Sequence, residues 1–155
     1  MVRRIIYDEN VCTIQVTTGG NSERDVNFAD ALNGKGSDTE VYFNPKADPD
    51  IMTVDPATGN VSAAKRPAFI GLAHELIHAE RSMRGEAIDY GITADYTYQI
   101  SKRRIDAGRD LEIRTHTQHV PKEELATVGL AYNKNGDITE NMIRAEHNLR
   151  PRGAY

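Results

Sequence analysis

The chain has no tryptophan, three phenylalanines and one cysteine, Cys12, among its 155 residues. A lone cysteine cannot form an intramolecular disulfide and excludes thiolate zinc sites of the finger type, so any metal must be held by histidine and carboxylate. Long apolar runs are missing as well. The stretch Met1-Val2-Arg3-Arg4-Ile5-Ile6-Tyr7 turns polar at Asp8, too soon for a membrane span or the core of a classical signal peptide. No membrane insertion is expected, and classical secretion has no support. Nor is there an excess of basic charge: 19 Lys and Arg stand against 23 Asp and Glu, a net charge of -4. Nucleic-acid binding needs a basic stripe on phosphates, and the cations here are dispersed among carboxylates, Lys102 to Arg104 being a local exception. Repeats, low-complexity segments and long linkers are absent, so residues 1–155 read as a single domain. That length buries about two-thirds of the surface an unfolded chain exposes.

Local patterns outline the elements. Arg4 to Tyr7 and Val11 to Thr17 are rich in Ile, Val and Thr and read as a strand pair, with a hairpin as the simplest arrangement. A helix from Glu23 to Leu32, capped by Asn21 or Ser22, is expected to end at Asn33-Gly34, and Thr39 to Asn44 reads as a strand. Ala47 to Pro67 carries Pro49, Pro56, Gly59 and Pro67 and reads as loop. From Ala68 the period becomes helical, with Ile70, Leu72, Ala73, Leu76, Ile77 and Ala79 forming an apolar rod that Gly85 is placed to end. Residues Ile92 to Arg114 suggest a further helix, Lys122 to Val128 a short one, Asn135-Gly136 a turn. Asp137 and Glu140 resemble a capping box for a last helix through His147.

The apolar rod carries His74-Glu75-Leu76-Ile77-His78. On a helix, positions four apart share a face, so both imidazoles reach one zinc ion at about 2.0–2.1 Å. Glu75 sits one step round, where its carboxylate takes a proton from the attacking water, whose pKa a bound zinc lowers to about 7. A mostly buried helix has no structural use for these polar groups unless they find partners. The third ligand is open at this point. Metzincin-type spacing would put Gly and His where Arg81 and Arg84 stand, and a thermolysin-like Glu is missing around Tyr98. Asp89, Asp95, Glu112, His116, His119 and the pair Glu123-Glu124 are the remaining candidates. Two adjacent Glu on a helix point about 100° apart, so one can bind metal while the other accepts the free N–H of a ligand histidine.

His74-Glu75-Leu76-Ile77-His78-Ala79 followed by Gly85, and Glu123-Glu124-Leu125 with Thr127 and Gly129, resemble the catalytic core of clostridial neurotoxin light chains. Gly71-Leu72-Ala73, Thr127-Val128-Gly129-Leu130 and Glu140-Asn141 with Ile143-Arg144 look similar to the NleD-like family of injected bacterial effectors, a resemblance strongest from Pro67 to Tyr155. It implies Glu123 as third ligand and Glu124 as the carboxylate that orients His74. Arg152 and Tyr155 resemble the Arg-x-x-Tyr pair that stabilises the oxyanion in the light chains, although chain ends ordinarily fray.

The expected fold is α+β: a small zincin-like metalloprotease domain with a small β-sheet and an active-site helix. The resemblance implies a zinc endopeptidase acting as a secreted or injected effector in the target-cell cytoplasm. Its partner is then a protein substrate, by resemblance a host mitogen-activated protein kinase. The alternatives are a toxin domain against another protein, a degenerate zincin serving as a binding module, and a non-proteolytic zinc hydrolase.

Overall fold

A computed structural model describes residues 1–103 and 111–155; of residues 101–103, 111 and 112 it describes the backbone alone. The Lys102–Arg104 group and the Glu112 carboxylate therefore lie outside the described residues. The long apolar rod forms helix α3, Ala68–Met83. Pro67 precedes it, and Gly85 closes it with φ +69°, a conformation a β-carbon would strain. A side chain at Gly85 would also meet the backbone of Gly34 at 2.5 Å, so two glycines let the chain pass there. Ile70 and Ile77 of α3 are essentially inaccessible to solvent, as are Val41, Leu125 and Val128.

Around α3 the remaining elements are short. In chain order they begin with α1 (Val2–Ile6), β1 (Cys12–Val16), β2 (Ser22–Asp25), α2 (Phe28–Leu32) and β3 (Thr39–Phe43). The strand order is β1-β3-β2, with β3 parallel to β1 and antiparallel to β2, so Val41 faces Ile14 on one side and Glu23 on the other. Thr39 and Val41 turn inward and cover α3. β4 (Asp50–Val54) and β5 (Val61–Lys65) form a hairpin, as do β6 (Thr93–Arg103) and β7 (Leu111–Pro121). Two short helices, α4 (Lys122–Val128) and α5 (Glu140–Glu146), complete the set and both pack on α3. The architecture is thus a small mixed α and β fold whose long helix α3 is enclosed on most sides. No helix among the described residues is long and apolar enough to cross a membrane.

Several local expectations change. Residues 2–6 form a helical turn instead of a strand, held to the body by an Arg4–Glu80 ion pair at 3.2 Å, and β1 finds its partner in β3, not in a hairpin. The expected Glu23–Leu32 helix starts only at Phe28. Asn27 caps it by accepting from the Asp30 N–H at 3.3 Å, while residues 22–25 extend along β3. The proline-bearing 47–67 stretch holds a hairpin, whose turn is closed by Asp55 accepting from Ala57 and Thr58. Where a helix was expected from Ile92 to Arg114, the described residues Thr93–Arg103 and 111–114 lie in paired strands. Thr93, Thr97, Tyr96 and Tyr98 favour extended backbone, and period two puts Tyr96, Tyr98 and Ile100 on the half-buried face. Thr139, not Asp137, caps α5, because Asp137 is engaged by the Lys134 N–H and Arg84.

Candidate active site

Helical spacing sets His74 and His78 on one face of α3, and they are 3% and 2% exposed. Their Nε2 atoms lie 3.2 Å apart. One oxygen of Glu124, from the first turn of α4, stands 3.0 Å from Nε2 of His74 and 3.5 Å from Nε2 of His78. A tetrahedral zinc site with bonds of about 2.0–2.1 Å has ligand-to-ligand edges of about 3.3 Å. The three separations match that triangle.

The outer nitrogens explain why these atoms converge. His74 Nδ1 lies 3.0 Å from Glu140 of α5, and His78 Nδ1 lies 3.0 Å from Glu123. A carboxylate accepts, so each Nδ1 carries the hydrogen and each Nε2 is left with a lone pair. Two lone pairs and a carboxylate oxygen aimed at one point repel each other unless a cation sits there. The donor set therefore fits a zinc ion. In the metal-free protein a proton answers the same field: burial opposes it, yet Glu123 and Glu124 raise the His78 pKa to about 10. Glu124 is correspondingly held well below the carboxylate range, its two histidines outweighing burial.

In this geometry the carboxylate that stands beside both Nε2 atoms is that of Glu124, not Glu123. Glu123, 1% exposed, is saturated on the far side of His78 by that ring, by Arg81 and by the Ile88 N–H at 2.8 Å. It cannot turn toward the Nε2 atoms without abandoning buried Arg81. Glu124, about 100° around α4, opens toward the cleft, and it is Glu140 that faces the outer nitrogen of His74. Asp95 and His119 pair with each other on the exposed hairpin at 2.8 Å, and neither they nor Asp89 and His116 join the cluster.

A cleft of about 450 Å³ opens onto the triad, lined by Gly20, Asn21, Glu23, Arg66, Glu75, Tyr90, Arg152 and Tyr155 among others. Glu75 is 7% exposed, and burial raises its affinity for a proton against the pull of His74 and His78. The carboxyl-terminal residues are not frayed. Thr53 bridges Arg152 in antiparallel fashion, with Val54 N–H donating to Pro151 and Gly153 N–H donating to Met52. Asn141 accepts from the Arg152 N–H at 2.6 Å, and the guanidinium donates to Glu140 and to the Ala154 carbonyl. That guanidinium lies over the Tyr155 ring at 4.4 Å, and the ring centroid is 6.5 Å from that of His74. Burial and the neighbouring Glu124 keep the Tyr155 hydroxyl protonated far above its usual range. Backbone pairing with β4 and the Asn141 and Glu140 side chains hold this tail in place.

In the sequence Glu140 stands out as a helix cap and as part of the family resemblance, with no role beside the histidines, and Tyr90, Glu23 and Arg66 carry no site signal. Tyr90 sets its hydroxyl 3.2 Å from His78 Nδ1. These residues come from separate elements and share no spacing with the zinc motif, so nothing in the linear pattern signals them.

Comparison with curated protein sequences gives no match. Among solved structures, a type C botulinum neurotoxin light chain with its zinc removed is similar at 18% identity and TM-score 0.47, over 74% of this chain and 27% of that one. A serotype HA light chain is similar at 20% identity and TM-score 0.45, over 87% of this chain and 30% of that one. The light-chain protease of serotype C1 is similar at 17% identity and TM-score 0.47, over 74% and 27%. The chain spans 27% to 30% of the length of these light chains. The profile of the peptidase M91 family, described as effector proteins, matches residues 5–155, and by that match over nearly its whole length the chain belongs to the family.

Proposed function

We propose that the chain is a zinc endopeptidase in which His74, His78 and Glu124 hold the metal. The observation that carries this reading is the convergence of two imidazole lone pairs and a carboxylate oxygen, at 3.0 to 3.5 Å, beside a cleft lined by Glu75. When bound, zinc acts as a Lewis acid on the scissile carbonyl and lowers the pKa of water to about 7. Glu75 takes the proton from the attacking water and passes it to the leaving amine. Glu140 and Glu123 fix the ring orientation and tautomer of the two histidines. The Tyr155 hydroxyl donates to the oxygen that gains negative charge, and Arg152 holds the Tyr155 ring and adds positive charge beneath it.

Membership of an effector family supports a secreted or injected protein and a protein substrate. The finer reading, a host mitogen-activated protein kinase cleaved in the target-cell cytoplasm, rests on the resemblance of the motif residues. The test is to incubate zinc-loaded protein with a host-cell lysate, with and without chelator, and to map new amino termini. Glu75→Gln should keep fold and metal but cut about 10²–10⁴-fold more slowly. Retention of most activity by that variant would move water activation to another group.

A further inference from the structure

Gly71 precedes His74 and Glu75 by one turn of α3, a spacing that puts the three positions on one face of the helix. Two donors occupy the space a side chain would take there. A β-carbon at Gly71 would stand 2.4 Å from Asn21 Nδ2 and 3.3 Å from Arg66 Nη2. Asn21 and Arg66 line the cleft together with His74 and Glu75. Asn21 directly precedes β2, and its Oδ1 accepts from the Asn44 N–H at 2.8 Å, which leaves Nδ2 as the free end of the amide. Arg66 directly follows β5, its backbone N–H held by the Pro49 carbonyl at 2.9 Å. Asn21 Nδ2 and Arg66 Nε are buried, and neither atom has an acceptor among the described residues. Other arginines about the site are paired, Arg81 with Glu123 and both Arg144 and Arg152 with Glu140. Arg66 forms no ion pair among the described residues; its charge reaches Glu75 only through space.

We propose that Arg66 and Asn21, converging over Gly71, form a subsite for an acidic side chain of the substrate polypeptide. The proposal rests on the endopeptidase reading above and deepens it by naming what the substrate carries. Buried donors without acceptors are unfavourable, and a guanidinium without a counter-charge beside it more so. One carboxylate answers both, accepting from the planar fork of the guanidinium and from the amide. Gly71 is the one glycine of α3, and glycine inside a helix is less stable than alanine, so the helix gives up propensity at the turn where the two donors enter. A basic side chain would meet a like charge and an amide donor, and the same geometry disfavours it. The rise from Gly71 to His74 is about 4.5 Å, little more than one residue of extended chain at about 3.3 Å. The acidic residue therefore lies within about two residues of the scissile bond.

Binding is read separately from cutting. Zinc-loaded Glu75→Gln protein is titrated into fluorescent peptides of alanine, glycine and serine that carry one central aspartate, asparagine or lysine. Fluorescence anisotropy should show aspartate preferred over asparagine by about tenfold, with lysine weakest. Adding Arg66→Gln should bring the aspartate-to-asparagine ratio to near one. Asn21→Asp keeps an acceptor for the Asn44 N–H and removes the free donor, and it should lower the ratio as well. So should Gly71→Ala, which leaves every charge in place and displaces both donors. Equal binding of aspartate and asparagine peptides, asparagine preferred over aspartate, or an aspartate preference that survives Arg66→Gln overturns the proposal. Failure of the endopeptidase reading would show differently, as peptides that bind in this charge-dependent way and are left uncut by the unsubstituted protein.

Discussion

Glu123 and Glu124 are adjacent on α4, and the rotation between them decides which meets the metal. Glu124 faces the two Nε2 atoms, whereas Glu123 is locked between His78, Arg81 and the Ile88 N–H. Glu124→Gln should therefore abolish stoichiometric zinc while leaving the fold close to that of the parent. Glu123→Gln should weaken zinc about 10–100-fold and destabilise the protein by about 3 kcal/mol, because it strands the buried Arg81 guanidinium. Metal analysis and urea unfolding of the two variants distinguish the roles, and the opposite pattern would restore Glu123 as ligand. Glu23 makes a separate prediction. Its carboxyl is raised from 4.5 to about 8, by burial first and by Asp25 second, so the folded protein binds this proton more tightly than the unfolded chain. The stability so contributed is whole below the unfolded value and is lost as pH rises through the folded one. The urea midpoint of metal-free protein should fall between about pH 5 and 8, and Glu23→Gln should flatten that fall.

At the scale of elements, α3 and the carboxyl-terminal tail carry the site. Most of α3 is buried, and apart from Glu75, which lines the cleft, its charged groups are paired: Glu80 takes Arg4 and Arg84, Arg81 takes Glu123, and His74 takes Glu140. The tail adds a third strand-like segment along β4, and a side chain at Gly153 would meet Val54 at 2.1 Å, which explains the glycine there. Tyr155→Phe should lower kcat by about 10²–10³ with zinc content unchanged. Arg152→Ala should lower kcat and also weaken zinc, since Arg152 supports the Glu140 carboxylate that holds His74. Removal of residues 151–155 should do both; peptidase activity surviving that deletion would show that the tail has no part in the reaction.

For the molecule as a whole, the proposed ligands His74, His78 and Glu124 join α3 to α4, and Glu140 brings in α5 behind them. A divalent ion bound there stabilises the native state alone, by about 4 kcal/mol when free zinc is 1,000 times its Kd. Chelation should accordingly lower the Tm by several degrees, and His78→Ala should remove the response to zinc. A Tm indifferent to zinc in the parent protein would exclude a metal tie between these helices. Charge follows the same assembly: the net charge is only -4, yet the carboxylates of Glu123, Glu124 and Glu140 are gathered around two histidines, and Glu23, Arg66 and Arg152 line the cleft beside them.

What was legible in the sequence is what depends on short spacing. The 3.6-residue period identified α3, the four-residue step brought His74 and His78 to one face, and Gly85 marked the helix end. Pro121 and the run after it gave α4, and the β-branched Thr39 to Asn44 segment gave β3. The strands of the two hairpins were not read, because Thr and Tyr in residues 93–98 serve either period and their extended state is decided by pairing with partners in residues 116–121. The choice between Glu123 and Glu124 was likewise beyond local reasoning. Both lie on the first turn of one helix, and only the docking of α4 against Arg81 and the 86–92 loop determines which faces the histidines. The tertiary structure alone brought Glu140, Tyr90 and Glu23 to the site, since they come from α5, a loop and β2, and contacts between distant segments leave no period in the chain.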